Sequence, residues 1–241
     1  MHKPPFDYRR LPRLKSLVCD VASELLPEYL NHPNIERLDL EGTKAKDLTF
    51  LRDAKHLRAL RLSASPIRAL TGFEELDGLR ELRLILTRSL SEISALRSAA
   101  QLEALELDKT PKITDISSIY GLRNLRWLFI NASQAKQRDL NWIRNMPRLE
   151  CAGIWIETET VDWSVLAEHP RLYDIVFYTT KGFSPGSDED ILAKLSADGR
   201  RVKALTRYPR AIFPGFRVEF APPSDVARPE PHFVYQNHLR Y

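Results

Sequence analysis

Apolar residues return along this chain in one repeated phrase. Segments of the form L-x-x-L-x-L begin at Leu14, Ile35, Leu57, Leu79, Leu102, Leu125, Leu149 and Leu172, at intervals of 21 to 24 residues. The first, fourth and sixth positions of these eight copies make 24 sites, and all 24 are apolar once Cys19 and Ala152 are counted. Against a background of 43% hydrophobic residues, chance gives such a result about once in 10⁹ trials before any choice of register. The cleanest copies, LRALRL, LRELRL, LEALEL and LRWLFI, alternate apolar and polar residues with a period of two, which predicts half-buried strands. A hydroxyl follows six of the strands: Thr43, Ser65, Thr87, Thr110, Ser133 and Thr180. Beyond it apolar residues recur at every third position, clearest as Ile113, Ile116, Ile119 and Leu122, which predicts 3₁₀ or short helical turns.

One strand and turn cannot bury their own apolar face, whereas stacked copies make a continuous core. The predicted product is a curved solenoid, with eight parallel strands about 4.8 Å apart in a sheet roughly 34 Å long. These residues resemble the leucine-rich repeat family. The repeat length, together with T-x-x-I-x-D-I as it stands at residues 110–116, is similar to the class of protein phosphatase regulatory subunits and internalins. The resemblance covers residues 14–180. It implies an α/β fold: a right-handed solenoid of about eight repeats, with a parallel concave sheet, short 3₁₀ or helical convex turns and a C-terminal cap. The family usually has Asn after the strand, where the amide bonds neighbouring backbone. Hydroxyls stand in here and can still donate, but Glu157 in the seventh copy, LECAGIWIE, cannot donate while ionised, so a local irregularity is expected there.

The ends of a solenoid need covers. Residues 1–13 form a basic extension, and SELLPEYLNHPN reads as a short helix completing the first convex segment. Residues 181–208 are assigned as a cap: a helix with Asp188, Glu189 and Asp190 at its positive end and Gly199 as its stop, then a candidate strand. Residues 209–241 are a Pro- and aromatic-rich basic tail, with six prolines and aromatics at Phe213, Phe216, Phe220, Phe233, Tyr235 and Tyr241. Such a segment is extended, and either packs on the cap or binds a partner.

If the fourth and sixth positions point inward, the third, fifth and seventh point out across the concave sheet. In the first five copies these sites hold nine charges, Asp20, Arg37, Asp39, Glu41, Arg61, Glu81, Arg83, Glu106 and Asp108, and no aromatic. In the last three they hold Trp127, Phe129, Trp155 and Tyr178 with one charge, Asp174. The four aromatics are predicted to form one contiguous patch on adjacent strands, and such patches mark interaction sites. Arg61, Arg83, Glu106 and Asp108 are the charged residues placed to orient a partner, with cross-strand ion pairing as their plain structural role. The tail folding over the patch is the competing reading. Trp142 and Trp163, in the convex segments, are read as core.

Composition adds exclusions. The chain carries 28% charged residues and only two cysteines, so neither low-complexity disorder nor a disulfide framework fits. Six repeats separate Cys19 from Cys151 and His32 from His169, beyond the reach of a disulfide or a shared metal. No P-loop, dinucleotide fingerprint, H-E-x-x-H or paired C-x-x-C occurs. No catalytic residue, metal ligand or cofactor is therefore assigned, and the chain is read as a non-enzyme. No run of about 18 apolar residues or signal-peptide pattern occurs, which leaves no membrane partner and a cytoplasmic expectation. The net charge of +4 hides basic ends: residues 200–241 carry eight Lys/Arg against three Asp/Glu. Nucleic acid bound by those termini is accordingly the second class of partner. The leading expectation is a protein partner recognised by the concave face, in an adaptor, a regulatory subunit, or a stoichiometric inhibitor or immunity-type protein. A homodimer through the aromatic patch stays open.

Overall fold

The computed structural model describes residues 11, 13–20, 32–180, 183–196, 201–208 and 215–225. Ten strands form one sheet in the order β1-β2-β3-β4-β5-β6-β7-β8-β10-β9. The strands are β1 (Ser16–Asp20), β2 (Arg37–Glu41), β3 (Ala59–Ser63), β4 (Glu81–Ile85), β5 (Ala104–Asp108), β6 (Trp127–Gln137), β7 (Cys151–Thr158), β8 (Asp174–Thr179), β9 (Val202–Tyr208) and β10 (Gly215–Phe220). The first eight run parallel, each paired with its successor.

Register aligns the repeats residue for residue. Leu38, Leu60, Leu82, Leu105, Leu128, Ala152 and Ile175 form one row across the sheet, and Leu40, Leu62, Leu84, Leu107, Ile130, Ile154 and Phe177 form a second. No residue in either row is more than 2% exposed. Against them pack the apolar residues of the connecting segments, which contain 3₁₀ turns at Thr49–Leu51, Phe73–Glu75, Ser94–Ser98, Ser117–Ile119 and Asn141–Asn145 and one helical turn at Ser164–Ala167. Trp142 and Trp163 lie buried in this layer as expected.

A carboxylate opens most of these turns. Asp47, Glu92, Asp115, Asp139 and Asp162 each accept the backbone N–H two residues on, at 2.8 to 3.0 Å. The acceptor satisfies a donor that a turn of three to five residues would leave without a partner.

Where a strand ends, the chain turns through a left-handed residue. Gly42, Ala64, Leu86 and Lys109 hold φ of 68°, 48°, 56° and 53°. The N–H groups of the first three donate to the carbonyls of Ser63, Ile85 and Asp108 in the next repeat, at 2.9 to 3.0 Å. Three of the four therefore carry a Cβ in a conformation that costs about 1 kcal/mol, held by the stacking of the loops. The hydroxyls that follow substitute unevenly for an amide ladder. Ser65 donates to Ser63 O and accepts from Thr43 N, while Thr43 Oγ1 and Thr87 Oγ1 are buried without a hydrogen-bond partner.

The irregularity expected in the seventh copy is present. Pairing of β7 with β8 jumps from Ile154↔Phe177 to Glu157↔Tyr178, and pairing of β6 with β7 jumps from Asn131↔Trp155 to Lys136↔Glu157. Glu157 is held by Lys136 at 3.1 Å.

The helix Asp188–Leu195 starts with a capping box: the Ser187 side chain accepts from Asp190 N, and the Asp190 carboxylate accepts from Ser187 N. Strand β9 follows it. A boundary at residue 209 does not separate a tail from the sheet, because residues 215–220 form β10, antiparallel to both β8 and β9. The reason is the alternation in GFRVEF, which puts Phe216, Val218 and Phe220 in the core at 2% exposure or less. Phe216 stacks on Phe177 at 5.6 Å and meets Trp163 edge-on at 5.6 Å. Residues 23–31 of the short helix expected in SELLPEYLNHPN, Gly199, and Phe213, Phe233, Tyr235 and Tyr241 of the tail lie outside the described residues.

Gly72 tests how closely the repeats are stacked. Its φ is +93°, and a Cβ there would stand 2.6 Å from Thr49 N and 2.7 Å from Leu48 C, both backbone of the preceding repeat. A Cβ on Gly121 would meet nothing within 4 Å. Gly72→Ala should therefore destabilise by more than about 2 kcal/mol while Gly121→Ala stays within about 0.5 kcal/mol of the parent, measured by urea denaturation.

Candidate partner surface

The face of the sheet turned away from the 3₁₀ turns carries three columns. The first runs Arg37, Ala59, Glu81, Ala104, Trp127, Cys151, Asp174; the second runs Asp39, Arg61, Arg83, Glu106, Phe129, Gly153, Val176, Arg217. The third contains Glu41, Ser63, Ile85 and Asp108, with Asn131 and Trp155 continuing it in the neighbouring pair of strands.

Charges on this face neutralise one another across strands. Arg61 donates to both oxygens of Asp39 at 2.9 and 2.8 Å, and Arg37 reaches Glu81 at 3.1 Å. Arg83 stands 3.9 Å from Glu81 and 4.0 Å from Glu106. Exposed pairs of this kind contribute little to stability, about 0–1 kcal/mol each. A pit of about 120 Å³ lies at Ala59, lined among others by Arg37, Asp39, Arg61, Glu81 and Arg83. Asp108 departs from the expectation. It is 2% exposed and accepts from Asn131 Nδ2 at 2.9 Å, so its carboxylate serves the sheet and not an approaching partner.

Phe129, Trp155 and Tyr178 are brought together, with Trp127 two residues before Phe129 on β6, but not all of them lie at the surface. Phe129 and Trp155 have ring centroids 5.7 Å apart, and Trp155 meets Tyr178 edge-on at 5.3 Å. Phe129 and Tyr178 are each only 6% exposed, which corrects their reading as exposed anchors. Tyr178 is covered by the cap: it pairs with Gly215, where a Cβ would stand 2.6 Å from its ring. Phe129 is walled by Trp155 on the β7 side, across Gly153, which offers no side chain to hold the rings apart. Trp127 and Trp155 keep part of their surface. Trp155 sits in the two-residue bulge of β7, the kind of distortion that redirects a side chain out of a regular sheet.

Other candidate chemistry resolves into structure. Cys151 is a free thiol, buried, and burial pushes its pKa up to about 12, which keeps it protonated at neutral pH. His32 Nδ1 accepts Asn34 N–H at 3.2 Å, and His169 Nδ1 accepts Leu172 N–H at 2.9 Å while its Nε2 donates to Met146 O at 3.0 Å. Both histidines fasten the turn before a strand. Among the described residues no group of three or more His, Cys, Asp or Glu could hold a metal, and no helix is long and apolar enough to cross a membrane.

No family model matches the sequence, and no curated protein matches it. Solved structures do. An internalin from Listeria monocytogenes superposes with a TM-score of 0.59 at 23% identity, over 77% of this chain and 54% of its own. Internalin C2 from the same organism gives a TM-score of 0.52 at 25% identity, over 76% of this chain and 77% of its own. The chain has the leucine-rich repeat fold. It spans about half the length of the first of these internalins. In the leucine-rich repeat solenoid the face described above is the concave one, and the 3₁₀ turns line the convex side.

The same repeat displays a further feature just before each strand. The second position of the copies is charged seven times, as Lys15, Glu36, Arg58, Arg80, Glu103, Arg126 and Glu150. These residues border the edge where strands begin. Lys15 holds Glu36 at 2.8 Å, Arg80 bonds Glu103, and Arg126 holds Glu150 through two hydrogen bonds of 3.1 and 2.9 Å. The Glu150 side chain is 1% exposed, and Arg171 also reaches it at 3.4 Å before bonding Asp225 of the C-terminal segment at 2.8 Å. Glu150→Ala should cost about 2 kcal/mol by urea denaturation, since it strips two arginines of a buried counter-charge, whereas Glu36→Ala on the exposed pair should leave the midpoint unmoved.

Proposed function

We propose that the solenoid is a non-catalytic protein-binding module that recognises a protein partner through its concave face. The observation that carries this reading is the pair Trp127 and Trp155. They lie on adjacent strands and are partly exposed, Trp155 in ring contact with buried Phe129 and Tyr178 and Trp127 two residues before Phe129 on β6. Tryptophan is the residue most enriched where binding energy concentrates, and rings fixed from behind lose little conformational freedom on binding. Arg61, Arg83 and Glu106 border the patch on the side of β3 to β5, half-buried and paired, and supply the orientation of approach. The pit at Ala59 takes a side chain of the partner. Occupancy of the partner then does the work, as an adaptor, a regulatory subunit or an inhibitor. The cytoplasm is the expected setting for a chain whose Cys151 is a free buried thiol.

Affinity capture from a lysate of the source organism, followed by titration of the purified partner, tests this. Wild type should retain one protein that a Trp127→Ala, Trp155→Ala variant of unchanged circular dichroism loses. Each single substitution should weaken the purified complex by about 2 kcal/mol, roughly thirtyfold. Capture of the same material by both forms, or by neither, places the site elsewhere. Light scattering that reports a dimer abolished by Trp155→Glu would assign the patch to a second copy of the chain.

A further inference from the structure

The chain leaves the cap turned back toward the repeats. Strand β10 runs antiparallel to β8, so it delivers the chain to the edge where the parallel strands begin. There Phe220 N donates to Tyr173 O at 2.8 Å, and five residues on Asp225 is bonded by Arg171 at 2.8 Å. Arg171 precedes β8 and also reaches Glu150, which precedes β7. By Asp225 the path therefore points along the repeats, away from β9 and the end of the sheet. Residues 226–241 continue from that point and lie outside the described residues.

The concave face complements the chemistry of those residues. Its first column is the one nearest this edge, and Trp127 stands in it two strands from Asp174, a span of about 10 Å. Over β2 to β10 the positions in register with Arg37, Asp39 and Glu41 hold eight carboxylates against five Lys or Arg, a net charge of −3. The excess flanks the aromatic patch on both sides, where one arginine serves two carboxylates: Arg83 lies between Glu81 and Glu106, and Arg217 between Asp174 and Glu219. Residues 226–241 carry Arg228 and Arg240 against Glu230, with the aromatics Phe233, Tyr235 and Tyr241. Their reach is ample, since sixteen residues extend up to about 50 Å and Phe233 can stand up to about 26 Å from Asp225.

Building on the concave face as the partner site, we propose that residues 226–241 fold back over it and seat Phe233 and Tyr235 against Trp127 and Trp155, a resident occupant that a protein partner must displace. Aromatic side chains laid on the partly exposed tryptophans remove apolar surface from water, and the two arginines answer the surplus carboxylates. Tethering does the remainder: a linked segment acts at an effective concentration in the mM range, so a contact too weak to hold a free peptide is filled within the chain. Pro229 and Pro231 disfavour a helix that would bury the aromatics on its own account.

The probe is a fluorescein-labelled peptide of residues 226–241, titrated by anisotropy into the full chain and into its full-length Phe233→Ala, Tyr235→Ala variant. The variant should bind the peptide with a Kd of about 100 µM or below, and wild type at least about tenfold more weakly, the ratio that a tethered competitor in the mM range imposes. Adding Trp127→Ala or Trp155→Ala to the tail variant should weaken the peptide by at least about tenfold. Acrylamide should quench tryptophan emission more strongly in the tail variant than in wild type; Trp142 and Trp163 are buried, so the difference reports Trp127 and Trp155 with the solenoid unaltered. Equal binding by wild type and tail variant, or none by either at about 1 mM peptide, overturns the proposal. Binding that survives both tryptophan substitutions overturns it too, by seating the segment elsewhere. A dimer in light scattering that the tail variant loses would overturn it in favour of segments exchanged between two copies. No arm of this test uses the partner, so its failure leaves the capture experiment standing, and its success beside failed capture would keep the folded-back segment and remove the partner.

Discussion

A leucine in the fourth position of one strand is buried by its counterpart in the next repeat and by the turn behind it, and its own strand cannot shield it. That dependence is what the molecule is built around. It forces parallel strands into close lateral alignment, because a slip of one residue would turn both rows from Leu38 to Ile175 and from Leu40 to Phe177 toward water. It also explains the strain tolerated at Ala64, Leu86 and Lys109: the left-handed turn aims each loop at its neighbour, and the gain from stacking exceeds the local cost.

The concave surface acquires its character where that alignment breaks. From β2 to β5 the register is unbroken, and the outer positions carry charges that answer one another across strands. At β6 and β7 the pairing jumps, a bulge carries Trp155, and Gly153 opens space for the rings of Phe129 and Trp155 to approach. The cap completes the arrangement from the far side, since β10 brings Gly215 beneath Tyr178. The cluster of Phe129, Trp155 and Tyr178 is therefore a joint product of one irregular repeat and of a strand 37 residues beyond Tyr178, with Trp155 partly at the surface above the two buried rings.

This explains which parts were legible in the residues alone. Period, strand positions, the inward rows and the core placement of Trp142 and Trp163 follow from spacing, because each repeat meets the same environment and the pattern is averaged over many copies. The burial of Phe129, Tyr178 and Asp108 is set by single contacts to Trp155, Gly215 and Asn131, which no repeated pattern encodes. Strand β10 carries its own signal in the alternation of Phe216, Val218 and Phe220, but prolines on both sides favour an extended tail. The second-position ladder ending in Glu150 is equally visible. It escapes a reading that follows alternation only within strands, because this position lies just before them.

The edge where strands begin holds its charges against the protein, as Arg126 and Arg171 do around Glu150. At the opposite edge Asp47, Glu92 and Asp115 cap the turns and keep their negative charge beside the cations of the loops. Both edges obey the same stacking, and each carries charges of both signs. Stacking at about 4.8 Å brings like charges of successive repeats close enough to repel, so carboxylates interspersed with cations along both edges are what let the rows stay aligned without that cost.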